Sequence, residues 1–350
     1  MQKISPKIAI EGKSVEYLEG SYSNNGGGTA AELNFSMPLQ YGGNRKLWNK
    51  EVTLYLDEAD STPLFRGWIR RANPTLNDIE ILAMDALGYT VKGGESSKSS
   101  IVLTKQDNLD GHTTGAAIVS AIKRAKLDTK LKTDAIRNST PSISASRFNF
   151  RGRVSLEEII KKMVSNSIDE SGTLPRPNIY KLIDDGTNSQ LVIEPEADVD
   201  AAQIAHVFTE DDNILSLTFN EKKIPTIILV KGRNGVEGTF THDGALTALD
   251  RSYLEVSNEQ LTSPAECVDF GRKLFEANLH NQYEYAIEVS EGSYLSENEV
   301  IRVETNDRDY SGNYRVIGKN ISFSPDSYSV GIVINRKPPT LAEYIADSDN

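Results

Sequence analysis

Histidines have the widest catalytic and metal-binding use of any side chain, and this sequence has four, at His112, His206, His242 and His280. None belongs to a pair spaced to bind zinc. The nearest approach to a catalytic grouping is the tripeptide at 241–243, Thr-His-Asp, which precedes Gly244. An isolated His-Asp dipeptide before a glycine is typical of a turn. The sequence therefore predicts no metal site and no catalytic histidine.

Other catalytic motifs fail on their spacing. The single cysteine, Cys267, can form no disulfide within the chain and falls on the apolar side of a predicted helix, which is typical of a small core residue. Gly232, Gly235 and Gly238 are not followed by the Lys-Ser/Thr pair of a phosphate-binding loop. No serine occupies a Gly-x-Ser-x-Gly elbow. We predict no enzyme, no catalytic residue and no cofactor.

Charge and hydropathy restrict the partners. Fifty acidic residues against 38 basic ones give a net charge of -12, which disfavours binding to a phosphate backbone. No stretch approaches the roughly 20 apolar residues that cross a bilayer, and the first residues lack the apolar region of a secretion signal. We expect no stable membrane insertion. We expect the chain to fold in the cytoplasm where it is made. At 350 residues, two or three domains are expected.

The first ninety residues predict a small antiparallel β-sandwich or barrel. Short strands follow one another without helical periodicity between them. Val52, Leu54 and Leu56 alternate along one strand, and Ile79 and Ile81 along another, so each set shares one face.

A polar, glycine- and serine-rich stretch after residue 92 predicts a domain boundary, followed by a mixed α+β insertion. One helix has Thr114 as its cap and an apolar stripe at 118, 121, 122 and 125. A second has Ser155 and Glu158 as a capping box before an unbroken apolar face at 156, 159, 160, 163 and 164. The segments NIYKLID and QLVIEP then predict a hairpin.

Strands return after about residue 205 and continue to about 337, with one helix among them. Ser263, Pro264 and Glu266 predict the start of that helix. Beyond residue 338 the tail is short and acidic, and Leu341, Tyr344 and Ile345 form one apolar edge that is a candidate for docking a partner. A frayed terminus is the alternative.

The order of these parts resembles the hub proteins of phage baseplates and tail tips. In the first β region, Phe65, Gly67, Asp85 and Leu87 occupy places that match the first tube domain of such hubs. Near the end, Gly312, Tyr314, Val316 and Ile321 carry the likeness to the second tube domain. The sequence departs from the family before Val300, where Ser-Glu-Asn-Glu at 296–299 replaces a glycine turn.

The resemblance implies a mainly β chain with two similar antiparallel β-barrel or sandwich tube domains and an inserted mixed domain. The first tube domain is expected at 1–92, completed by about 205–225, the insertion at 93–204, the second tube domain at 205–337 and the acidic tail at 338–350. A homotrimer of such chains has six similar β domains around a channel. It is thus expected to join the sixfold tail tube to a threefold spike or fibre at the virion tail tip.

The partners implied are the tail tube or distal tail protein, the spike or central fibre protein, the tape-measure protein, and genomic DNA in transit only. Two other functions are weighed against the hub. A tail-associated cell-wall hydrolase normally needs a further domain, and only a dozen residues follow residue 338. A host carbohydrate- or receptor-binding β module requires exposed aromatic residues clustered on one sheet.

Overall fold

The computed structural model describes residues 6–24, 30–39, 47–56, 62–88, 100–103, 113–128, 131–134, 136, 152–165, 168–169, 176–184, 188–221, 225–242, 251–257, 261–279, 283–307 and 310–336. The chain is mainly antiparallel β-structure with three α-helices and one short 3-10 helix, Arg233–Gly235, in these ranges. The first strands are β1 (Lys7–Ile10), β2 (Lys13–Val15), β3 (Glu19–Asn24), β4 (Glu32–Pro38), β5 (Glu51–Tyr55), β6 (Phe65–Pro74) and β7 (Asp78–Met84). They pair in the order β3-β4-β7-β6-β5-β1-β2, and we call them the first sheet half.

A mixed α+β unit follows the first sheet half. Its elements are β8 (Ser100–Leu103), α1 (Thr114–Arg124), β9 (Leu131–Lys132), β10 (Gly152–Ser155), α2 (Leu156–Ser165), β11 (Ile168–Asp169), β12 (Arg176–Asp184) and β13 (Ser189–Pro195). The predicted stripes of both helices are buried in one core, and β12 and β13 form the predicted hairpin. One detail of the prediction is wrong: the Thr113 side chain caps α1 by accepting from the Ala116 N–H, while Thr114 lies inside the helix and is buried.

The second sheet half is formed by β14 (Ile204–Thr209), β15 (Ile214–Glu221), β19 (Tyr283–Val289), β20 (Val300–Glu304), β21 (Gly312–Ser324) and β22 (Ser327–Arg336). These strands pair in the order β15-β19-β22-β21-β20-β14. Residues near 205–225, expected to complete the first tube domain, instead supply β14 and β15, which pair with β20 and β19. Tyr314 and Val316 of β21 and the alternating Val330, Ile332 and Ile334 of β22 are buried.

A small module is inserted between β15 and β19. It contains β16 (Ile227–Lys231), β17 (Glu237–Thr241), β18 (Tyr253–Ser257) and α3 (Pro264–Leu279), and it has its own core. The predicted capping box of α3 is present, because the Ser263 N–H donates to Glu266 Oε2 at 3.2 Å and the Glu266 N–H donates to Ser263 Oγ at 3.3 Å. Cys267 is fully buried in the module, as predicted for a core residue.

The two sheet halves have the same strand order. In chain order, β1, β3, β4, β5, β6 and β7 correspond to β14, β15, β19, β20, β21 and β22, and the pairing order is the same in both sets. Each half also has a register shift at the same place, between Ile69 and Arg71 in β6 and between Val316 and Gly318 in β21. They differ in β2, which has no counterpart, and in β14, which pairs with β20 in parallel while β1 pairs with β5 antiparallel.

The halves are joined into one sheet by β21. Its first part pairs with β20, and its last part, Lys319 to Phe323, pairs with β3. Side chains from both halves form one continuous apolar core beneath this sheet. Burying apolar surface from both halves in a single core favours their packing side by side.

Asn298 explains how the chain forms its turn before Val300 without the glycine that the resemblance leads one to expect. Its φ is +72°, in the left-handed region where asparagine is the commonest substitute for glycine. Its side chain also connects the second sheet half to the strand that leaves the α+β unit. Nδ2 donates to Glu194 Oε1 at 2.7 Å and to the Pro195 carbonyl at 3.0 Å, and Oδ1 accepts from the Ala197 N–H at 2.8 Å.

Replacement of Asn298 separates these two roles. Asn298→Gly keeps the backbone conformation and loses the side-chain hydrogen bonds, whereas Asn298→Ala loses the hydrogen bonds and strains the backbone as well. We expect both variants to unfold at lower denaturant concentration than the native protein, and the alanine variant to be less stable than the glycine variant by about 1 kcal/mol. Equal stability of the two variants would show that the turn does not need a left-handed residue.

Candidate assembly surface

The joint between the sheet halves is a five-residue antiparallel ladder backed by aromatic packing. Phe323 pairs with Gly20, and its ring lies where a side chain at position 20 would project. The ring also meets Tyr17 edge to face, with centroids 5.6 Å apart. The Tyr17 hydroxyl donates to the Pro6 carbonyl at 2.7 Å, and burial raises its pKa to about 12. The joint thus combines main-chain hydrogen bonds with a buried aromatic pair.

The face of the joined sheet that points away from the core consists of small polar side chains around the joint. One row runs across four strands through Ser329, Ser322, Ser21 and Asn34. Alternation requires this, because the neighbouring residues on each strand fill the core. The face is concave here and encloses about 700 Å³.

Acidic groups dominate the border of this concavity. Glu19, Asp78 and Glu80 line it, and Arg71 is the one cationic residue among its described lining. The lysine of β21 points to the opposite side of the sheet. Lys319 Nζ donates to the carbonyls of Ser293 and Leu295 at 2.6 and 2.7 Å, and burial lowers its pKa to about 8. The outer face at the joint is therefore neutral to acidic.

The four residues that carried the resemblance in the first sheet half have structural roles. Phe65 and Leu87 are buried, in the shared core and in the core of the α+β unit respectively. Gly67 lies where a Cβ would come within 2.4 Å of the Met84 carbonyl oxygen, so only glycine fits. Asp85 is buried at the end of β7 and accepts from the Ala31 N–H at 2.8 Å and the Gly88 N–H at 3.1 Å. Burial raises the pKa of its carboxyl to about 7.

An ion pair connects the α+β unit to the first sheet half, and a hydrogen bond connects it to the second. Arg66 on β6 contacts Asp184 at 2.7 Å and Glu51 at 2.6 Å. On the other side, Lys181 Nζ contacts Glu194 at 2.7 Å and donates to the Glu297 carbonyl at 2.9 Å. The second half of β12 thus contacts both sheet halves.

The described histidines lie apart from each other. His206 Nδ1 is 2.6 Å from the Tyr294 hydroxyl, and His242 stacks on Phe275 with ring centroids 4.5 Å apart. His112, His280, Asp243 and the tail residues Leu341, Tyr344 and Ile345 lie outside the described residues. Among the residues that the structure describes, no group of His, Cys, Asp and Glu is arranged to hold a metal ion. No helix in the described ranges is both long and apolar enough to cross a membrane.

Sequence reasoning did not identify two exposed leucines at the edges of the sheet. Leu76, at the turn between β6 and β7, is 93% exposed, and Leu215 on β15 is 63% exposed. Leu76 stands between threonine and asparagine in a turn, where an apolar residue is unusual, and this is the only signal in the sequence.

Comparison with known proteins finds similarity in structure alone. No protein-family model matches the chain, and no curated protein matches it in sequence. A tail protein from Neisseria meningitidis superposes with a TM-score of 0.68 at 9% identity, over 95% of this chain and 97% of the other. The 43 kDa tail protein of prophage MuSo2 from Shewanella oneidensis gives 0.68 at 11% identity over the same shares.

This chain has the fold of phage tail proteins. A component of the Escherichia coli type VI secretion system, itself structurally similar to the bacteriophage T4 tail proteins gp27 and gp5, superposes with a TM-score of 0.57 at 10% identity. The match covers 95% of this chain and 79% of the other. The fold expected from the sequence, mainly β with an α+β insertion, is confirmed. The matched proteins are described as tail proteins or as a secretion-system component.

The pKa of Asp85 predicts a pH dependence of stability. A carboxyl whose pKa rises from 3.8 in the unfolded chain to about 7 in the native protein stabilises the fold when protonated, and that contribution is lost as pH rises from about 4 to 7. We expect Asp85→Asn to flatten the decline in the free energy of unfolding over this range, by up to about 4 kcal/mol. Denaturant unfolding at several pH values measures it. Glu80→Gln, on the same strand and exposed, is the control that should leave the slope unchanged.

Proposed function

We propose that this protein is a structural hub at the tip of a bacteriophage tail, where three copies form a ring around a central channel. The observation that supports this most directly is the internal repeat, because two sheet halves with the same strand order lie side by side in one continuous sheet. Three copies of such a chain present six similar β units. A ring of this kind can contact sixfold tail-tube rings on one side and a threefold spike or fibre on the other.

The sheet halves and the two insertions between strands have different proposed roles. The first and second sheet halves form the tube domains, at 1–92 and 205–337. The α+β unit, at 93–204, lies between them in sequence, and the small module extends only the second half. Each insertion occurs once per chain, so in a trimer each occurs three times around the ring. The insertions are thus the threefold features that a spike or fibre can recognise.

The outer face at the joint is proposed to line the channel. Its serines and asparagine are short and neutral, and the charges at its border are mainly carboxylates. A lining of this kind repels the phosphate backbone at short range and forms no lasting ion pairs with it. Genomic DNA can then pass through the ring without being retained.

The proposed partners are a tail tube or distal tail protein, a spike or central fibre protein, and the tape-measure protein. The protein is proposed to be made and assembled in the host cytoplasm and to reside at the virion tail tip. The acidic tail at 338–350, with Leu341, Tyr344 and Ile345, remains the proposed docking segment for one of these neighbours.

The two alternative functions are a carbohydrate- or receptor-binding module and a cell-wall hydrolase. Among the described residues, the large exposed aromatic side chains are spread over separate elements: Trp48 lies before β5, Tyr253 is on β18 and Tyr294 lies before β20. Clear zones on a zymogram containing bacterial cell walls would establish the hydrolase and contradict the structural role.

The ring is tested by the mass of the purified protein in solution. Sedimentation velocity over a range of concentrations is expected to show a single species of three chains, because the proposed ring closes with three copies. A closed assembly of two or four chains, or a monomer at every concentration, would contradict the trimer.

The channel lining is tested by reversing its charge. The triple variant Ser21→Lys, Ser322→Lys and Glu80→Lys is expected to bind duplex DNA at least about tenfold more tightly than the native ring, with an affinity that falls steeply with salt. A control with the same change in net charge is Glu237→Lys, Thr239→Lys and Thr241→Lys, on β17 away from the joint, which should bind DNA less tightly. Fluorescence anisotropy measures both. Tight binding of DNA by the native ring would contradict the proposal.

A further inference from the structure

We propose that the hairpin between β6 and β7 of one copy pairs with β15 of the next copy, and that Leu76 fills the groove beside β15. This inference rests on the proposed ring and specifies the residues by which its copies meet. The partner is a second copy of this chain. The joint within the chain serves as the template for the contact between chains.

The internal repeat identifies the two edges that remain unused. At the joint, the last part of β21 pairs with β3. Within the internal repeat, β6 of the first sheet half corresponds to β21 of the second, and β15 of the second half corresponds to β3 of the first. Among the described residues, Arg71 to Pro74 of β6 pair only with β7, and β15 pairs only with β19. The same junction can therefore form once more, between the β6 of one chain and the β15 of another.

The ladders of the two sheet halves fix the register of this contact. In each half, one row of paired residues crosses four strands and ends just before the register shift, at Ile69 in β6 and at Val316 in β21. Matching these two rows residue by residue aligns the two repeats. With this alignment, Leu76 corresponds to Phe323, and Leu217 corresponds to Gly20. The matched rows are Tyr22-Leu33-Ala83-Ile69 and Phe219-Tyr285-Ile334-Val316.

Pairing between chains then follows the pairing at the joint. Phe323 lies opposite Gly20, so Leu76 of one copy is expected opposite Leu217 of the next. Ser322 lies opposite Ser21, so Thr75 is expected opposite Thr218. A phenylalanine facing a glycine and a leucine facing a leucine divide a similar apolar volume between the two strands in different ways.

The groove beside β15 has the size and chemistry to receive a leucine side chain. It encloses about 370 Å³ and is lined by Ile214, Leu215, Leu217 and Tyr310, among others. Leu76 is 93% exposed and Leu215 is 63% exposed in the single chain. Exposed apolar residues at a sheet edge mark a site where another chain binds. Both leucines become buried in the proposed contact.

Pro74 limits the contact without preventing it. At the position of Ile321 in the joint, proline removes one main-chain donor from the ladder. The neighbouring residues of β6 keep theirs. A proline at an exposed edge also discourages indiscriminate strand pairing, so the edge accepts a partner that supplies the apolar contacts as well.

Cysteine cross-linking tests the register. Thr75→Cys with Thr218→Cys is expected to give covalent dimers and trimers on mild oxidation, with the trimer as the largest product. The matched positive control is Ser21→Cys with Ser322→Cys, which joins the equivalent pair within one chain. Thr75→Cys with Ser216→Cys is the out-of-register control. The native Cys267 is buried and can stay in every variant.

Each outcome separates the contact from the ring. A chain that sediments as a trimer but does not cross-link through positions 75 and 218 would overturn the proposed contact and leave the ring intact. Equal cross-linking by the out-of-register pair would overturn the register. Products larger than a trimer would support the contact and contradict the threefold ring. If the native chain does not assemble and the variant with Thr75→Cys and Thr218→Cys does not cross-link, both proposals are wrong.

Substitution of the leucine tests the groove independently. Leu76→Asp is expected to weaken self-association about tenfold to a hundredfold, because a charged group would replace a buried apolar one. The control is Tyr253→Asp, an exposed apolar residue on the small module, which should leave association unchanged. Unchanged association of Leu76→Asp in sedimentation equilibrium would contradict the role of Leu76.

Discussion

The structure depends on one strand that belongs to two parts of the sheet. Strand β21 is 13 residues long, and its first part completes the second sheet half while its last part adds to the edge of the first. Main-chain hydrogen bonds along this strand determine which residues of the two halves face each other. The shared core, the concave outer face and the position of the α+β unit all follow from that register. A protein with this joint has a fixed angle between its two repeats, which a subunit of a ring requires.

The same joint determines the character of both faces of the sheet around it. Around the joint, the residues facing outward are short and polar and those facing inward are apolar, so the sheet has little room for the buried polar groups that an active site needs. The strongly shifted carboxyl of Asp85 is enclosed by backbone N–H donors and stabilises the end of β7. The shifted ammonium of Lys319 holds the loop before β20. Perturbed groups in this protein support the scaffold.

Local patterns in the sequence were sufficient for most individual elements. The alternation in β5 and β7, the capping box of α3 and the apolar faces of α1 and α2 were predicted, because each depends on residues a few positions apart. Strands β14 and β18 were not predicted. The joint could not be predicted, because β3 and β21 are separated by almost the whole chain and alternation shows which face a residue occupies but not which strand lies beside it. The separate core of the small module and the exposed edges depend on the same long-range pairing.

The central claim is that the two sheet halves occupy equivalent places in one ring. A cryo-electron microscopy reconstruction of the assembled tail tip, calculated without imposed symmetry, tests it most directly. The account predicts three copies of this chain and six similar β units around the channel. It also predicts that the end of strand β6 in each copy pairs with β15 of the next. A ring in which the second half of each chain lies outside the channel wall, or in which the number of copies differs from three, would contradict it.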